Sequence, residues 1–382
     1  MRIVDVCSFY TPHGGGVKTY IDQKLRIGPE LGAEIVIIVP GEDHAVIEHG
    51  SKARIVTIPS PRLPVDRNYW YFGDQNALRA ALDAAAPDLV EVSSPWRSPS
   101  WVANWPAAVP RSLVMHADPM SAYAYRWLEP AFARPTINRM FAPLWRHLRR
   151  LGAQYDTVIC ANHELTERLA AGGVAHTRLE PMGVEEGVFS SANRDLALRA
   201  ELLAQCGLPD SAGLLIGIGR LAPEKRWPMV IAAVQQAARE LPLGLVLLGA
   251  GGQEAKIRAA IGGDPHVRLL DPVHDRARFA AIVASADALV HGCEAETYCL
   301  SAAEARASGV PVIVPDRGGA ADHAADGGGL TYRSADPADL AKAIGQLAQQ
   351  GWPRTSALVQ TMRGHFEQLF AHYRGLIELH RA

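Results

Sequence analysis

The sequence predicts an α/β protein of two Rossmann-like domains, each built on a parallel sheet, facing one another across a cleft. Two observations carry this expectation. Short apolar runs without polar alternation are separated by longer segments of helical period, the pattern of sheets covered on both faces. That alternation occurs in two sets divided by a polar stretch at residues 191–204, and a length of 382 residues exceeds the usual size of one core.

In the first set the strand candidates are Ile3–Ser8, Glu34–Val39, Ala53–Ile58, Leu89–Val92, Ser112–His116 and Thr157–Cys160, with helices expected over Val17–Leu31 and Gln75–Ala85. In the second they are Leu214–Gly219, Leu245–Gly249, Val267–Leu270, Ala288–His291 and Val312–Val314. A first domain is therefore expected at residues 1–188 and a second at 189–352. Residues 353–382 carry helical periodicity through Leu358, Met362, Phe366, Leu369, Phe370, Tyr373 and Leu376 with no strand after it. An apolar stripe of that kind needs covering, so this tail is expected to pack back on the first domain.

Composition narrows the function classes. A formal net charge of −2 gives no whole-chain argument for a nucleic-acid partner. Five scattered cysteines form neither a disulfide framework nor a paired zinc motif, and the N-terminus lacks the basic and apolar regions of a signal peptide. The apolar runs are of strand length, well short of the roughly 18 residues a spanning helix needs. A cytoplasmic protein is expected, with membrane contact only at a surface.

The most informative stretch runs from Leu289 to Asp316 and reads as strand, loop, helix, tight turn and strand. Glu296 stands before the helix and Glu304 within it. An offset of eight residues is a little over two helical turns, which puts both carboxylates on roughly one face. The free N–H groups of a helix start favour an anion, and a carboxylate along the same face can hold sugar hydroxyls. Taken alone, the pair equally reads as a solvated helix face. A second motif, Gly217-Ile218-Gly219-Arg220-Leu221-Ala222-Pro223-Glu224-Lys225-Arg226, follows a buried strand. Arg220 and Lys225 lie five residues apart on a strand-to-helix loop and can reach one diphosphate, where positive charge stabilises a departing phosphate. A third, Pro12-His13-Gly14-Gly15-Gly16-Val17, opens the first helix, and its glycines permit close backbone approach to a ligand. Neither it nor Gly249-Ala250-Gly251-Gly252 has dinucleotide-binding spacing.

The two acidic residues eight apart, followed by Ala-Ser-Gly-Val-Pro-Val-Ile, resemble the signature of the retaining glycosyltransferases of the GT4 family, which have the GT-B fold. Gly219-Arg220-Leu221 with Lys225 resembles that family's Gly-Arg-Leu-x-x-x-Lys motif, and Gly183-Val184-Glu185 through Phe189 its domain-junction segment, with Glu185 for Asp. The resemblance implies that Glu304 binds the nucleotide ribose, Glu296 the donor-sugar hydroxyls, and the backbone N–H groups of Cys299 and Leu300 the sugar and phosphate. It implies leaving-group contacts from Arg220 and Lys225, a cleft-facing loop at Gly15 and Gly16, and contact of His116 with the sugar near its reacting carbon. One departure stands out: Tyr298-Cys299-Leu300 replaces the usual Phe-Gly-Leu. The implied activity is transfer of a hexose, of mannose or glucose type, from a UDP- or GDP-sugar to a hydroxyl of a lipid-linked or glycan acceptor, with retention and without metal or other cofactor.

The acceptor side is less distinctive. Residues 97–150 hold eight Arg against two acidic residues, Asp118 and Glu129. Within them Ile137–Leu151 alternates Met140, Phe141, Leu144, Trp145 and Leu148 with four arginines. Such a basic amphipathic helix suits an anionic membrane surface at the inner face, or packs on the core with a solvated Arg face. The aromatic run Asn68-Tyr69-Trp70-Tyr71-Phe72 either lines an acceptor entrance or packs. Two rivals remain open: an epimerase of the same fold, and a non-catalytic nucleotide-sugar binder.

Overall fold

The computed structural model describes residues 1–10, 15–64, 69–356 and 358–382. Pro12, His13 and Gly14 of the glycine-rich loop and Asn68 of the aromatic run lie outside the described residues. The chain divides into two compact units, Met1–Met182 with Met362–Ala382, and Gly183–Thr361.

Among the described residues the first unit contains eight strands: β1 (Arg2–Cys7), β2 (Glu34–Gly41), β3 (Ala45–Glu48), β4 (Ala53–Pro59), β5 (Leu89–Ser93), β6 (Arg111–Val114), β7 (Thr157–Cys160) and β8 (Thr177–Leu179). Their order in the sheet is β3-β4-β2-β1-β5-β6-β7-β8, parallel except for β3, which pairs antiparallel with β4 at the edge. Two of these strands escape sequence reading. All four residues of β3 are exposed, so it has no buried face to give a pattern. β8 is three residues long with no fully buried position. The helix Met362–Arg381 belongs to this unit and turns Met362, Phe366, Leu369, Phe370, Tyr373 and Ile377 inward. Burial of each such side chain contributes about 1.5–3 kcal/mol. It begins four residues beyond the fully exposed Leu358.

The amphipathic segment is not one helix. Arg134–Met140 and Ala142–Gln154 are separate, broken at Phe141. Pro143 explains the break, since its ring and missing N–H bar the hydrogen bond to the Arg139 carbonyl. Trp145 and Leu148 are buried in the first unit's core, with Phe141 and Leu144 packed against it. This helix therefore packs with its arginines solvated, and its Trp is not available to a membrane. The exposed large apolar groups of the region are Tyr123, Trp127, Phe132 and Met140, all but the last upstream of the expected helix.

Among the described residues the second unit has six parallel strands: β9 (Gly213–Ile218), β10 (Leu243–Leu248), β11 (Val267–Leu270), β12 (Ala288–Val290), β13 (Val312–Pro315) and β14 (Gly329–Tyr332). The order β11-β10-β9-β12-β13-β14 is that of a doubly wound dinucleotide-type fold. From β9 the chain winds one way to β10 and β11, and from β12 the other way to β13 and β14. The loops leaving the carboxyl ends of β9 and β12 therefore diverge and leave a crevice between them, the usual ligand position in such sheets. In the first unit the corresponding point lies between β1 and β5. Among the described residues no helix is long and apolar enough to cross a membrane.

Candidate active site

Both signature motifs of the second unit lie at this switch point. After β9 the chain turns through Gly219, Arg220 and a single helical turn at Pro223–Lys225, and the helix Trp227–Ala237 follows. After β12 the loop carries His291, Glu294 and Glu296 before the helix Leu300–Ala307. The loops approach so closely that a Cβ on Gly292 would lie 2.5 Å from the Lys225 carbonyl oxygen. Gly318 is required twice over: its φ is +69°, and a Cβ there would lie 2.3 Å from the Glu294 carbonyl oxygen. The Gly319 N–H donates to the Glu296 carbonyl at 2.7 Å and fixes the loop from the other side.

Two ion pairs join the loops. Lys225 Nζ contacts Glu296 Oε1, and Arg226 Nε donates to Glu294 Oε2 at 2.9 Å. His291 Nε2 lies 3.2 Å from the same Glu296 oxygen. Burial alone would raise the Glu296 carboxyl, but the Lys225 ammonium and the His291 ring outweigh it and hold the group well below the ordinary carboxylate range. Burial likewise opposes the charge on Lys225, and Glu296 overrides it, keeping the ammonium protonated. Glu296 remains partly open to solvent, with 21% of its side chain exposed. The result is a fixed anion beside a fixed cation in a crevice, able to accept hydrogen bonds from hydroxyls and to meet a phosphate.

Glu304 has different neighbours. The helix begins only at Leu300, so Glu296 and Glu304 do not share a helix face as the eight-residue offset suggests. Glu304 is buried and faces Arg276 Nη2 at 3.5 Å, while Arg276 also pairs with Glu185 at 2.9 Å. The guanidinium lies over Phe189 and Phe279, 5.1 and 5.5 Å from their ring centroids. Burial pushes the Glu304 carboxyl up to about 7 against the pull of Arg276, and Glu185 adds to the rise. Cys299 caps the helix in a left-handed conformation with φ +70°, a position that disfavours any residue with a Cβ. Its thiol lies 3.6 Å from Ser301 Oγ, and the side chain of Leu300 is half-buried.

Arg220 does not join the Lys225 cluster. More than half of its side chain is exposed, and it pairs with Glu224 at 3.1 Å. Gly15, Gly16 and His116 belong to the first unit. Gly15 precedes the uncapped start of the helix Gly16–Glu30, and a Cβ there would meet nothing within 4 Å. Packing does not demand glycine at that position. His116 lies two residues past β6 with its ring edge on Tyr20, centroids 4.7 Å apart. Burial holds its imidazole down to about 4, with Asp5 opposing and Lys24 assisting, so the ring is neutral at physiological pH. The neighbouring Asp118 caps the N–H groups of Met120 and Ser121 and pairs with Arg168, a structural role.

Sequence reasoning missed His291, Arg226 with Glu294, and Arg276. In the sequence His291 stands out only as the end of a strand. Arg226 and Glu294 sit beside the flagged Lys225 and Glu296, so adjacency could have found them. Arg276, far from any motif, gave no signal.

Comparison with known proteins bears on the family and the fold. The family model described as Glycosyl transferases group 1 matches residues 212–350, and that described as Glycosyltransferase Family 4 matches residues 14–185. A GDP-mannose-dependent alpha-(1-6)-phosphatidylinositol dimannoside mannosyltransferase of Mycobacterium tuberculosis is 28% identical, covering 82% of this chain and 79% of its own. A GDP-mannose-dependent alpha-mannosyltransferase of Mycolicibacterium smegmatis is 27% identical over 99% of this chain and 98% of its own. Among solved structures, sucrose-phosphate synthase from Thermosynechococcus elongatus superposes with a TM-score of 0.72 at 21% identity, covering 100% of this chain and 98% of that one. The two parallel-sheet units are those of the GT-B fold, and the chain is a glycosyltransferase belonging to the group 1, GT4 family.

Proposed function

We propose that this enzyme transfers a mannosyl residue from GDP-mannose, with retention, to a hydroxyl of a lipid-linked or glycan acceptor. The observation that carries the reading is Glu296, an ionised carboxylate fixed by Lys225 and His291 at the switch point of the second unit. Its free oxygen accepts from sugar hydroxyls while Lys225 and Arg220 take up the charge that develops on the departing diphosphate. Cys299 and Leu300 offer backbone N–H groups, and Glu304 the ribose acceptor. The donor base and sugar are drawn from the two mycobacterial relatives, whose names specify GDP-mannose. No metal is assigned to catalysis, because cationic side chains already serve the leaving group.

Support for a lipid-linked acceptor comes from the relative that acts on a phosphatidylinositol dimannoside and from the exposed Tyr123, Trp127, Phe132 and Met140. Arg126 lies over the Trp127 ring at 5.7 Å, placing positive charge beside the apolar groups, as an anionic lipid surface favours. Peripheral contact with such a surface is part of the proposal.

The test incubates the full chain with GDP-mannose in EDTA, with and without phosphatidylinositol dimannoside on anionic vesicles. GDP release and an α-linked product only in the presence of acceptor are expected. An isomerised sugar nucleotide without acceptor would mark an epimerase, and binding without GDP release a non-catalytic binder.

A further inference from the structure

We infer that Arg276 is a positioning residue for the nucleotide, holding the buried Glu304 carboxylate ionised and set to receive the two ribose hydroxyls. This deepens the proposed donor site and rests on Glu304 as its ribose acceptor. Arg276 opens the helix Arg276–Ser285, and its Nη2 lies 3.5 Å from Glu304 Oε1. Among the described residues no other side chain donates to that carboxylate. The guanidinium is itself fixed in place. Its Nε and Nη2 both donate to Glu185 Oε2, at 3.1 and 2.9 Å. Phe189 and Phe279 meet edge to face, centroids 6.0 Å apart, and both lie under it.

The chemistry of the ribose makes that contact matter. Two vicinal hydroxyls present two donors, and an ionised carboxylate presents two acceptor oxygens. Protonation turns one of those oxygens into a donor and spoils the match. The Glu304 side chain is only 10% exposed, so burial favours the protonated form and a nearby cation is needed to oppose it. Three titratable or charged groups face Glu304. They are Arg276 from its helix, Glu185 from the segment before Phe189, and Tyr298 from the preceding loop, whose phenol burial keeps un-ionised. Arg276 alone favours the carboxylate. Glu185 works against it twice, by its own charge and by holding the guanidinium at the shorter distance. The two donor carboxylates therefore differ. Glu296 stays ionised beside Lys225, whereas Glu304 is balanced near neutrality, and Arg276 sets the balance.

The test measures the preference of the full chain for GDP over 2′,3′-dideoxy-GDP. Calorimetry gives both affinities from about pH 5.5 to 8.5, either side of the Glu304 midpoint. The ratio reports the hydroxyl contact, since titration of the base and phosphates is common to both ligands. In the wild-type chain it should rise with pH and level off above about 7. Arg276→Met should move the midpoint up by about one pH unit, lowering the preference about fivefold at pH 7. That is the low end for losing a countercharge, because 42% of the Arg276 side chain is exposed. Glu185→Gln should move the midpoint down, since Glu304 then has the guanidinium to itself. Arg276→Lys restores the charge and should return the midpoint toward wild type. A merely structural role would weaken both ligands alike and leave the midpoint in place. Midpoints unchanged in Arg276→Met and Glu185→Gln, or moved in the same direction, overturn the inference and leave the donor reading standing. A wild-type chain that never prefers GDP, or binds neither nucleotide, instead removes Glu304 as ribose acceptor and the inference with it.

Discussion

Each unit sets a lysine against carboxylates at its switch point, and the two clusters differ in one respect: whether anything closes over them. In the first unit Lys24 reaches from the helix Gly16–Glu30 to Asp5 at 2.9 Å and Glu91 at 2.7 Å, all three side chains fully buried. Asp5 and Glu91 are directly opposed on β1 and β5, a like-charge pairing that only a cation makes tolerable. Tyr373 of the C-terminal helix lies over them, its hydroxyl 2.8 Å from Glu91 Oε2 and 2.9 Å from Ser112 Oγ. In the second unit Lys225 and Glu296 are 14% and 21% exposed. The lidded cluster has no room for a ligand and serves the fold. The open one leaves both charged groups within reach of solvent, which is what a binding site requires. The same residue types thus take opposite roles according to what covers them.

The same substitution at both lysines sharpens that contrast most. Lys24→Met should cost about 3–5 kcal/mol in urea unfolding, because two buried carboxylates lose their countercharge. Lys225→Met should cost on the order of 1 kcal/mol, as for a solvent-accessible pair. It should nevertheless lower kcat by about 10²–10³, the scale of losing one transition-state donor. Equal stability losses at the two positions would break the comparison.

A smaller effect separates the clusters by pH. Burial pushes the Glu91 carboxyl up to about 7, with Lys24 opposing and Asp5 adding to the rise, against an ordinary value of 4.5. Between those values the folded state binds more protons than the unfolded one. The contribution of Glu91 is therefore fully present below pH 4.5 and is lost as pH rises through about 7. Glu91→Gln should flatten that decline in unfolding free energy measured from pH 4.5 to 8, since Lys24 then keeps a single carboxylate partner. An unchanged slope would place the titration elsewhere.

The smallest effect concerns Cys299. Glycine there relieves about 1–2 kcal/mol of left-handed strain and adds about 0.5–1 kcal/mol of unfolded-chain entropy. A melting temperature raised by a few degrees or less is expected; a large fall would mean that the Cys299 side chain supports the loop by contacts beyond Ser301.

How much of this was legible in the sequence varies by element. Strands with continuous buried runs, such as β2 and β10, declared themselves, because burial on both faces demands apolar residues at every position. The exposed β3 and the short β8 did not, having no such pattern to show. Helical period marked the apolar stripe of residues 137–151, yet Pro143 divided it and the core took Trp145. Spacing located Arg220, Lys225, Glu296, Cys299, Leu300 and Glu304 along the chain but set Glu296 and Glu304 on one helix face, whereas the helix begins only at Leu300.

Sequence by itself determined the two-sheet α/β class, the family, and the loops that hold the signature motifs, because these depend on local periodicity and on short motifs with fixed spacing. Only the tertiary structure decided that Lys225 meets Glu296 and His291, that Arg276 meets Glu304, and that Lys24 is sealed beneath Tyr373. Those pairings join residues from 28 to 349 positions apart, brought together by strand order and by the close approach that Gly292 and Gly318 permit. No local pattern encodes such contacts, since each partner is chosen by the packing of the whole sheet.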